Sequence, residues 1–552
     1  MSQLVVIFIY FFIAGITFGK LPLTFFQQDE WALFSYFIYW DRGNLSWIDR
    51  LFFYEQYTHL IPLSNLLSYV EFKLFGIDFT YYAIVSIFIH LVSTMLVFYL
   101  SRSLFKNQAL GFLAGLLFLT NSISHQSITW IVTTMGTGGS TFFVLLTLIF
   151  FVKYLQKKNK IYLAVSLLFI FVSLQFKETA IFILLVPPIY WLLFKEDRKI
   201  TFRHILIPIA SLGMLYGIYR SLFFIASKLP ESIGADLSQP SVMVYVFRLF
   251  SLPIKTITQS LIPVPYIIQI SDKLIHLGYP QFVRDGIANG YIVESVGADI
   301  VSLFLALGII IVSAFCIDIF KKRGNLLYAK IVVFSLIFIS LSSVPLLVIP
   351  GSAGYFSLFD GRHLYITSIF TSILLTLFFY MVYLIFKKIK FINWMIGFLI
   401  LFFIVFHIQK IRGDINQQVG TAIIRKSILS QIISKYPDLP KKTVFYIESD
   451  KPYYGLPERE KIVPFQSGFG QTLLVWYDFY GQKYPGCFFK GEYLYEITSE
   501  GYRECEGRGF GYFRRKESLL KAIEEYNIPL ENIIGLSYNS SAHKISLIEL
   551  DI

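Results

Sequence analysis

Cysteine is nearly absent from this chain: Cys316, Cys487 and Cys505 are the three in 552 residues. No pair has the CxxC spacing of a zinc or redox motif, which excludes both readings. Charge is scarce as well. Asp, Glu, Lys and Arg make up 15% of the residues against 55% hydrophobic, and mean hydropathy is +0.61. A soluble protein of this length does not carry so little charge. Apolar runs that recur from end to end fit an integral membrane protein with many helical spans. No internal repeat and no low-complexity segment stands out.

The formal net charge is +12, but its placement excludes a nucleic-acid partner. Lys and Arg gather in short loops between apolar runs: "KKNK" at 157–160, "KEDRK" at 195–199, "KKRGN" at 321–325 and "KKIK" at 387–390. That is the positive-inside pattern, which sets orientation in a membrane.

The first apolar run, Leu4 to Phe18, is read as a retained helix. Further spans are expected near 81–100, 108–121, 136–155, 161–176, 180–194, 204–224, 297–320, 329–349, 364–386 and 391–408. With the basic loops in the cytoplasm, these eleven spans put the N-terminus inside and the C-terminus outside. The expected fold is therefore a polytopic α-helical membrane protein of about eleven transmembrane helices. Residues 1–408 form the membrane module, with outer loops at 19–80 and 225–296. "WALFSYFIYW" and "PLSNLLSYVEFKLFG" read as helices lying in the interface. The stretch 225–296, interrupted by Arg248, Lys255 and several prolines, reads as interfacial or re-entrant. After residue 408 the character changes. "KTVFYIES", "NIIGLSYN" and "KISLIEL" read as strands and "ESLLKAIEEYN" as a helix. Residues 409–552 are thus expected to be a small extracytoplasmic α/β domain. Cys487 and Cys505 lie in it, where oxidation is permitted, and are expected to pair; the chain between them is read as two short extended runs around Gly501.

Ionisable residues beside membrane helices are functional candidates by default. "FFQQDEWALF" places Asp29 and Glu30 side by side just after the first span. A carboxylate there can act as a general base toward a hydroxyl. "QFKETA" carries Lys177 and Glu178 between two middle spans. Lys177 can hold a phosphate as a point charge, or the pair can neutralise itself in a polar turn. "GRHLYITS" carries Arg362, His363 and Tyr365 at the outer end of a span, and an Arg fork suits a phosphate. "YTHLIPLSN" adds His59. Glu55 and His125 also belong to the outer set. Asp, Lys, Arg and His at one membrane face point to a reaction on a lipid-linked phosphate at headgroup height.

These motifs, in this order, resemble the GT-C superfamily of polytopic glycosyltransferases, in the branch of protein O-mannosyltransferases and aminoarabinose transferases. The matched features are Asp29-Glu30 in the first outer loop, "THLIPL" later in it, "FKETA", and "GRHLYITS", which is similar to the "RYLYLPS" type of segment. The resemblance covers roughly residues 1 to 410. It implies catalytic roles for Asp29 and Glu30. Substrate-binding roles fall to His59, Lys177, Glu178, Arg362, His363 and Tyr365. It further implies a polyprenyl- or dolichyl-phosphate sugar as donor and transfer to a protein or glycan hydroxyl with inversion, at an extracytoplasmic site in a multi-pass cell-membrane protein. Two departures stand out: Gln126 where many relatives have an acidic residue, and His363 where an aromatic is common. No cofactor is required by the motifs, and a divalent metal is left open. A flippase or transporter of lipid-linked saccharides is the alternative from another class, and a polymerase or ligase of such saccharides the alternative within the enzymes.

Overall fold

The computed structural model describes residues 2–27, 29–43, 45–52, 59–195, 202–226, 242–278, 293–348, 358–453, 456, 458–465 and 468–549. All eleven expected spans fall on helices. Eight are long and apolar enough to cross a membrane: Gln3–Leu23, Phe79–Phe105, Ile131–Lys157, Arg203–Ile225, Ala298–Lys322, Leu326–Leu347, Ser368–Phe386 and Ile392–Lys435. Three are apolar but shorter: Gln108–Leu119, Lys160–Phe176 and Glu178–Phe194. The chain is a multi-pass membrane protein. Glu55 lies outside the described residues.

Consecutive helices turn on one repeated device. Lys106 ends the helix Phe79–Phe105 in the left-handed conformation, φ +53°, and Asn107 caps the next helix by accepting from the Ala109 and Leu110 N–H groups. Lys158, φ +56°, and Asn159, which accepts from Ile161 N–H, repeat this between Gly139–Lys157 and Lys160–Phe176. Gly324, φ +73°, and Asn325 stand in the same places before Leu326–Leu341. A left-handed residue lets the chain leave one helix in all three, and in the first two the Asn side chain satisfies incoming N–H groups of the next; Asn325 makes no side-chain cap bond. The basic loops therefore collect at one end of the bundle. Residues 122–135, Lys177 and Arg362 lie at the other, because each is one helix length from such a hairpin.

The helix Asp29–Arg42 is walled in by protein. Trp31, Phe34, Phe37, Ile38 and Trp40 are all buried in it. Its aromatic face packs on the span Phe79–Phe105 through Phe34 and Tyr82, with Phe26 wedged edge-on between them. Its other side meets the C-terminal domain, where Trp31 and Trp476 have ring centroids 6.2 Å apart. So much aromatic surface needs cover on more than one side.

Within 225–296, Val242–Gln259 and Val264–Gly278 are helices, and neither is among the eight candidate spans. Arg248 and Lys255, which interrupt the apolar pattern, turn inward. Lys255 Nζ meets Asp299 at 2.8 Å with both residues buried, and Arg248 donates to the Leu347 carbonyl at 3.1 Å. The first contact fastens Val242–Gln259 to Ala298–Lys322 and the second fastens it to the turn Val344–Val348. At its end, Gln259 Oε1 accepts from Phe359 N–H at 2.8 Å, which fixes the segment leading to Arg362.

The helix Ile392–Lys435 is 44 residues long. The change of composition after residue 408 marks where it becomes polar, and no element ends there. Beyond it stands a five-stranded sheet in the order β2-β3-β1-β4-β5. β1 (Lys442–Ser449) is central and parallel to β3 (Arg508–Phe513) and β4 (Ile533–Asn539). β2 (Gly501–Cys505) and β5 (Lys544–Leu547) are antiparallel edges. Cys487 and Cys505 are joined. Between them, Gly491–Ser499 is a helix, not the first of two extended runs; burial of Tyr493, Leu494 and Ile497 on one face gives it the helical period.

Candidate active site

The sequence-derived residues converge at the bundle end away from the lysine hairpins. Asp29 opens the helix Asp29–Arg42 and is half-buried. Burial pushes its carboxyl above the ordinary range, and the nearby Arg362 guanidinium offsets only part of that rise. Glu30, 1% exposed, is turned to backbone groups: Gln27 N–H donates to it at 3.2 Å and Val132 N–H at 3.4 Å. It ties the start of this helix to the segment 122–135.

Arg362 lies in the short turn Gly361–Leu364. Gly361 sits so close to the Ile123 carbonyl that any side chain there would collide with it. The Ser127 hydroxyl donates to the Arg362 carbonyl at 3.1 Å. The guanidinium lies 4.4 Å over the Trp130 ring and reaches Asp360 at 3.2 Å. His363 is held neutral: burial first, then the Lys177 and Arg362 charges, lower its pKa to about 3. Lys177 is delivered by the helix Lys160–Phe176 at its far end, beside Gly136. Glu178 pairs with His59 Nδ1 at 2.5 Å. Asp29, Arg362, His363, Lys177, Glu178 and His59 thus form one chain of neighbours.

Tyr365 does not join them. It is fully buried, and its hydroxyl lies 2.7 Å from His90 Nδ1, whose other nitrogen lies 3.0 Å from the Leu119 carbonyl. As placed, its hydroxyl is engaged within the bundle behind the site.

Four buried polar atoms here have no hydrogen-bond partner among the described residues: Arg362 Nε, Glu178 Oε2, Gln126 Oε1 and Trp130 Nε1. An unsatisfied buried polar group costs about 1–3 kcal/mol, and a polar ligand that met these atoms would recover it. Trp130 escaped sequence reading because an aromatic between two spans has no distinguishing spacing. His125, 3.3 Å from Asp414 of the helix Ile392–Lys435, links this segment to an element some 290 residues away in sequence, about the separation that sequence patterns do not report.

Glu30 is engaged by amides, and position 126 offers an amide. Among the described residues, the group with metal-ligand spacing is Cys487, Cys505 and Glu506, whose cysteines are bonded to each other.

Residues 62–223 match the family described as dolichyl-phosphate-mannose-protein mannosyltransferase. That segment holds Gln126, Trp130, Lys177 and Glu178, and leaves Asp29, His59 and Arg362 outside. No curated protein matches the chain. Among solved structures, ArnT from Cupriavidus metallidurans bound to undecaprenyl phosphate is 12% identical over 88% of each chain, with a TM-score of 0.35. The apo state of ArnT is 12% identical over 96% of this chain and 92% of that one, also at 0.35; likeness at this level is too slight to carry a functional argument. Over residues 62–223 the chain is similar to the dolichyl-phosphate-mannose-protein mannosyltransferases, the branch of the GT-C glycosyltransferases that its motifs resemble.

Proposed function

We propose that this chain is a membrane glycosyltransferase that moves a sugar from a polyprenyl- or dolichyl-phosphate carrier to a hydroxyl of an extracytoplasmic protein or glycan, with inversion. The observation that carries this reading is the partly unsatisfied guanidinium of Arg362, stacked over Trp130, within electrostatic reach of the half-buried carboxylate of Asp29, with Lys177 close by. The carrier phosphate sits against Arg362 and Lys177, and its chain lies along the bundle. The acceptor hydroxyl approaches Asp29. Asp29 takes the hydroxyl proton as the oxygen attacks the anomeric carbon from the face opposite the phosphate. The bond from that carbon to the phosphate oxygen breaks, and its electron pair leaves on the phosphate. Arg362 and Lys177 meet the growing negative charge. Glu30 is a positioning residue, since its bonds to Gln27 and Val132 set where Asp29 begins its helix. Residues 1–408 and 409–552 act as membrane module and outer domain in this scheme, joined by the long helix.

A flippase would place its ionisable residues near mid-depth of the bilayer; the group around Arg362 lies at a bundle end, which favours transfer. The test is incubation of the purified protein with a panel of polyprenyl-phosphate sugars. Release of polyprenyl phosphate from one of them, with transfer or hydrolysis, is expected. Absence of both binding and turnover across the panel would overturn the reading.

A further inference from the structure

The opposite end of the bundle holds a cavity of about 390 Å³ between the ends of the helices Phe79–Phe105, Gly139–Lys157 and Val186–Phe194 and the start of Leu326–Leu341. Lys106, Lys158 and Lys195 line it, and among its described lining residues there is no Asp or Glu. Lys195 Nζ stands 4.9 Å over the ring of Trp191. Leu104, Val152 and Tyr190 line the cavity and also belong to the apolar seam beneath it. The mouth is cationic and the floor is greasy.

Lysine stands at two of these positions against the preference of the backbone. Lys106 and Lys158 are left-handed, φ +53° and +56°, a conformation that L side chains adopt at a cost and glycine does not. The third hairpin at this end uses Gly324 in the same place. A lysine that served only to balance a helix end could do so from the last turn, where its backbone is relaxed. Both lysines instead occupy the strained position that lines the cavity.

We propose that this cavity holds the phosphate of an anionic phospholipid. The recognised chemistry is a phosphate oxyanion beside apolar matter, which a lipid headgroup presents at the end of membrane-spanning helices. The site is separate from the one around Arg362 and does not depend on the glycosyltransferase reading.

The test is native mass spectrometry of the full chain titrated with phosphatidylglycerol or phosphatidylcholine. Lys106→Gly with Lys158→Gly removes two charges and relaxes two turns. This double variant should hold or raise the melting temperature in phosphatidylcholine while losing about tenfold or more in phosphatidylglycerol affinity. A control, Lys387→Gln with Lys388→Gln and Lys390→Gln at the same end, should bind as the native chain does. Lys195→Gln alone leaves both turns untouched and should also weaken binding. Native affinity in both the glycine and the Lys195→Gln variants, or an equal loss in the control, overturns the proposal. Displacement of the lipid by inorganic phosphate would assign the cavity to a soluble anion and overturn the lipid assignment.

Discussion

Arg42 grips Asp478 with both ends of its guanidinium, Nη1 to Oδ1 at 2.6 Å and Nη2 to Oδ2 at 2.7 Å, and this fork ties the helix Asp29–Arg42 to the C-terminal domain. Nη1 also donates to the Tyr484 carbonyl at 2.6 Å. Asp478 is 2% exposed. Arg42→Ala leaves that carboxylate buried, with Lys483 at 3.6 Å and Tyr484 N–H at 3.1 Å as remaining partners. Removing one member of a buried pair costs about 3–5 kcal/mol, and these partners place the expected loss at the low end. A lower melting temperature and faster trypsin cleavage within 440–549 are the readouts. An unchanged melting temperature would mean that the fork is idle.

Asp29→Asn keeps the shape of the side chain and removes the base. Turnover should fall by about 10²–10⁴-fold with the fold intact. The pH profile gives a finer check. A carboxylate base works when deprotonated, so the rate rises with pH through its pKa. Burial raises that pKa and Arg362 lowers it. Arg362→Gln should therefore move the acidic limb of the remaining activity to higher pH, and Asp29→Asn should abolish the limb. A limb that stays in place in both variants would remove Asp29 from the chemistry.

Lys177→Ala and Arg362→Ala should weaken donor binding far more than acceptor binding. A hydrogen bond to a charged group is worth about 1.5–3 kcal/mol, roughly ten- to a hundredfold in Kd. Titration of the donor lipid at fixed acceptor checks this. Unchanged donor affinity in both variants would end the assignment.

Ser46 is exposed, beyond the helix Asp29–Arg42, in the segment expected to lie outside. Ser46→Cys should react with a membrane-impermeant thiol reagent in intact cells. Cys316 is buried and the other two cysteines are joined to each other, so the background is low. Labelling that begins only after the cells are broken would invert the topology.

What could be read from the sequence was whatever has a local signature. The spans are uninterrupted apolar runs, and the strands "KTVFYIES" and "NIIGLSYN" alternate or run apolar in the expected way. Asp29, Lys177 and Arg362 announced themselves as charges beside greasy helices, and the structure brings them together. Contacts between distant segments left no such mark. Nothing in "MVYVFRLFSLPIK" says that Lys255 will meet Asp299, and nothing in "GEYLYEITS" separates a helix from an extended run except the burial of Tyr493, Leu494 and Ile497 on one face. Tyr365 entered the expected site through the resemblance of "GRHLYITS" to the "RYLYLPS" type of segment. A short turn there, Gly361–Leu364, sends its side chain into the bundle instead.

The helix Ile392–Lys435, with 44 residues, is about 66 Å long at 1.5 Å per residue. A bilayer core takes up only about 30 Å. More than half of the helix is therefore a mast, and it sets both the height and the bearing of the sheet domain. A second fastening acts on the same body: Arg425 on the mast donates to the Phe26 carbonyl at 3.3 Å and to the Pro464 carbonyl at 2.8 Å. One residue inserted between Lys410 and Arg425 would lift the domain by about 1.5 Å and swing it by about 100°. Its two moorings, Arg425 to Phe26 and Arg42 to Asp478, could not both be kept. The domain is thus keyed to the stretch from Phe26 to Arg42 like a cap on a threaded post, seated at one turn and at no other.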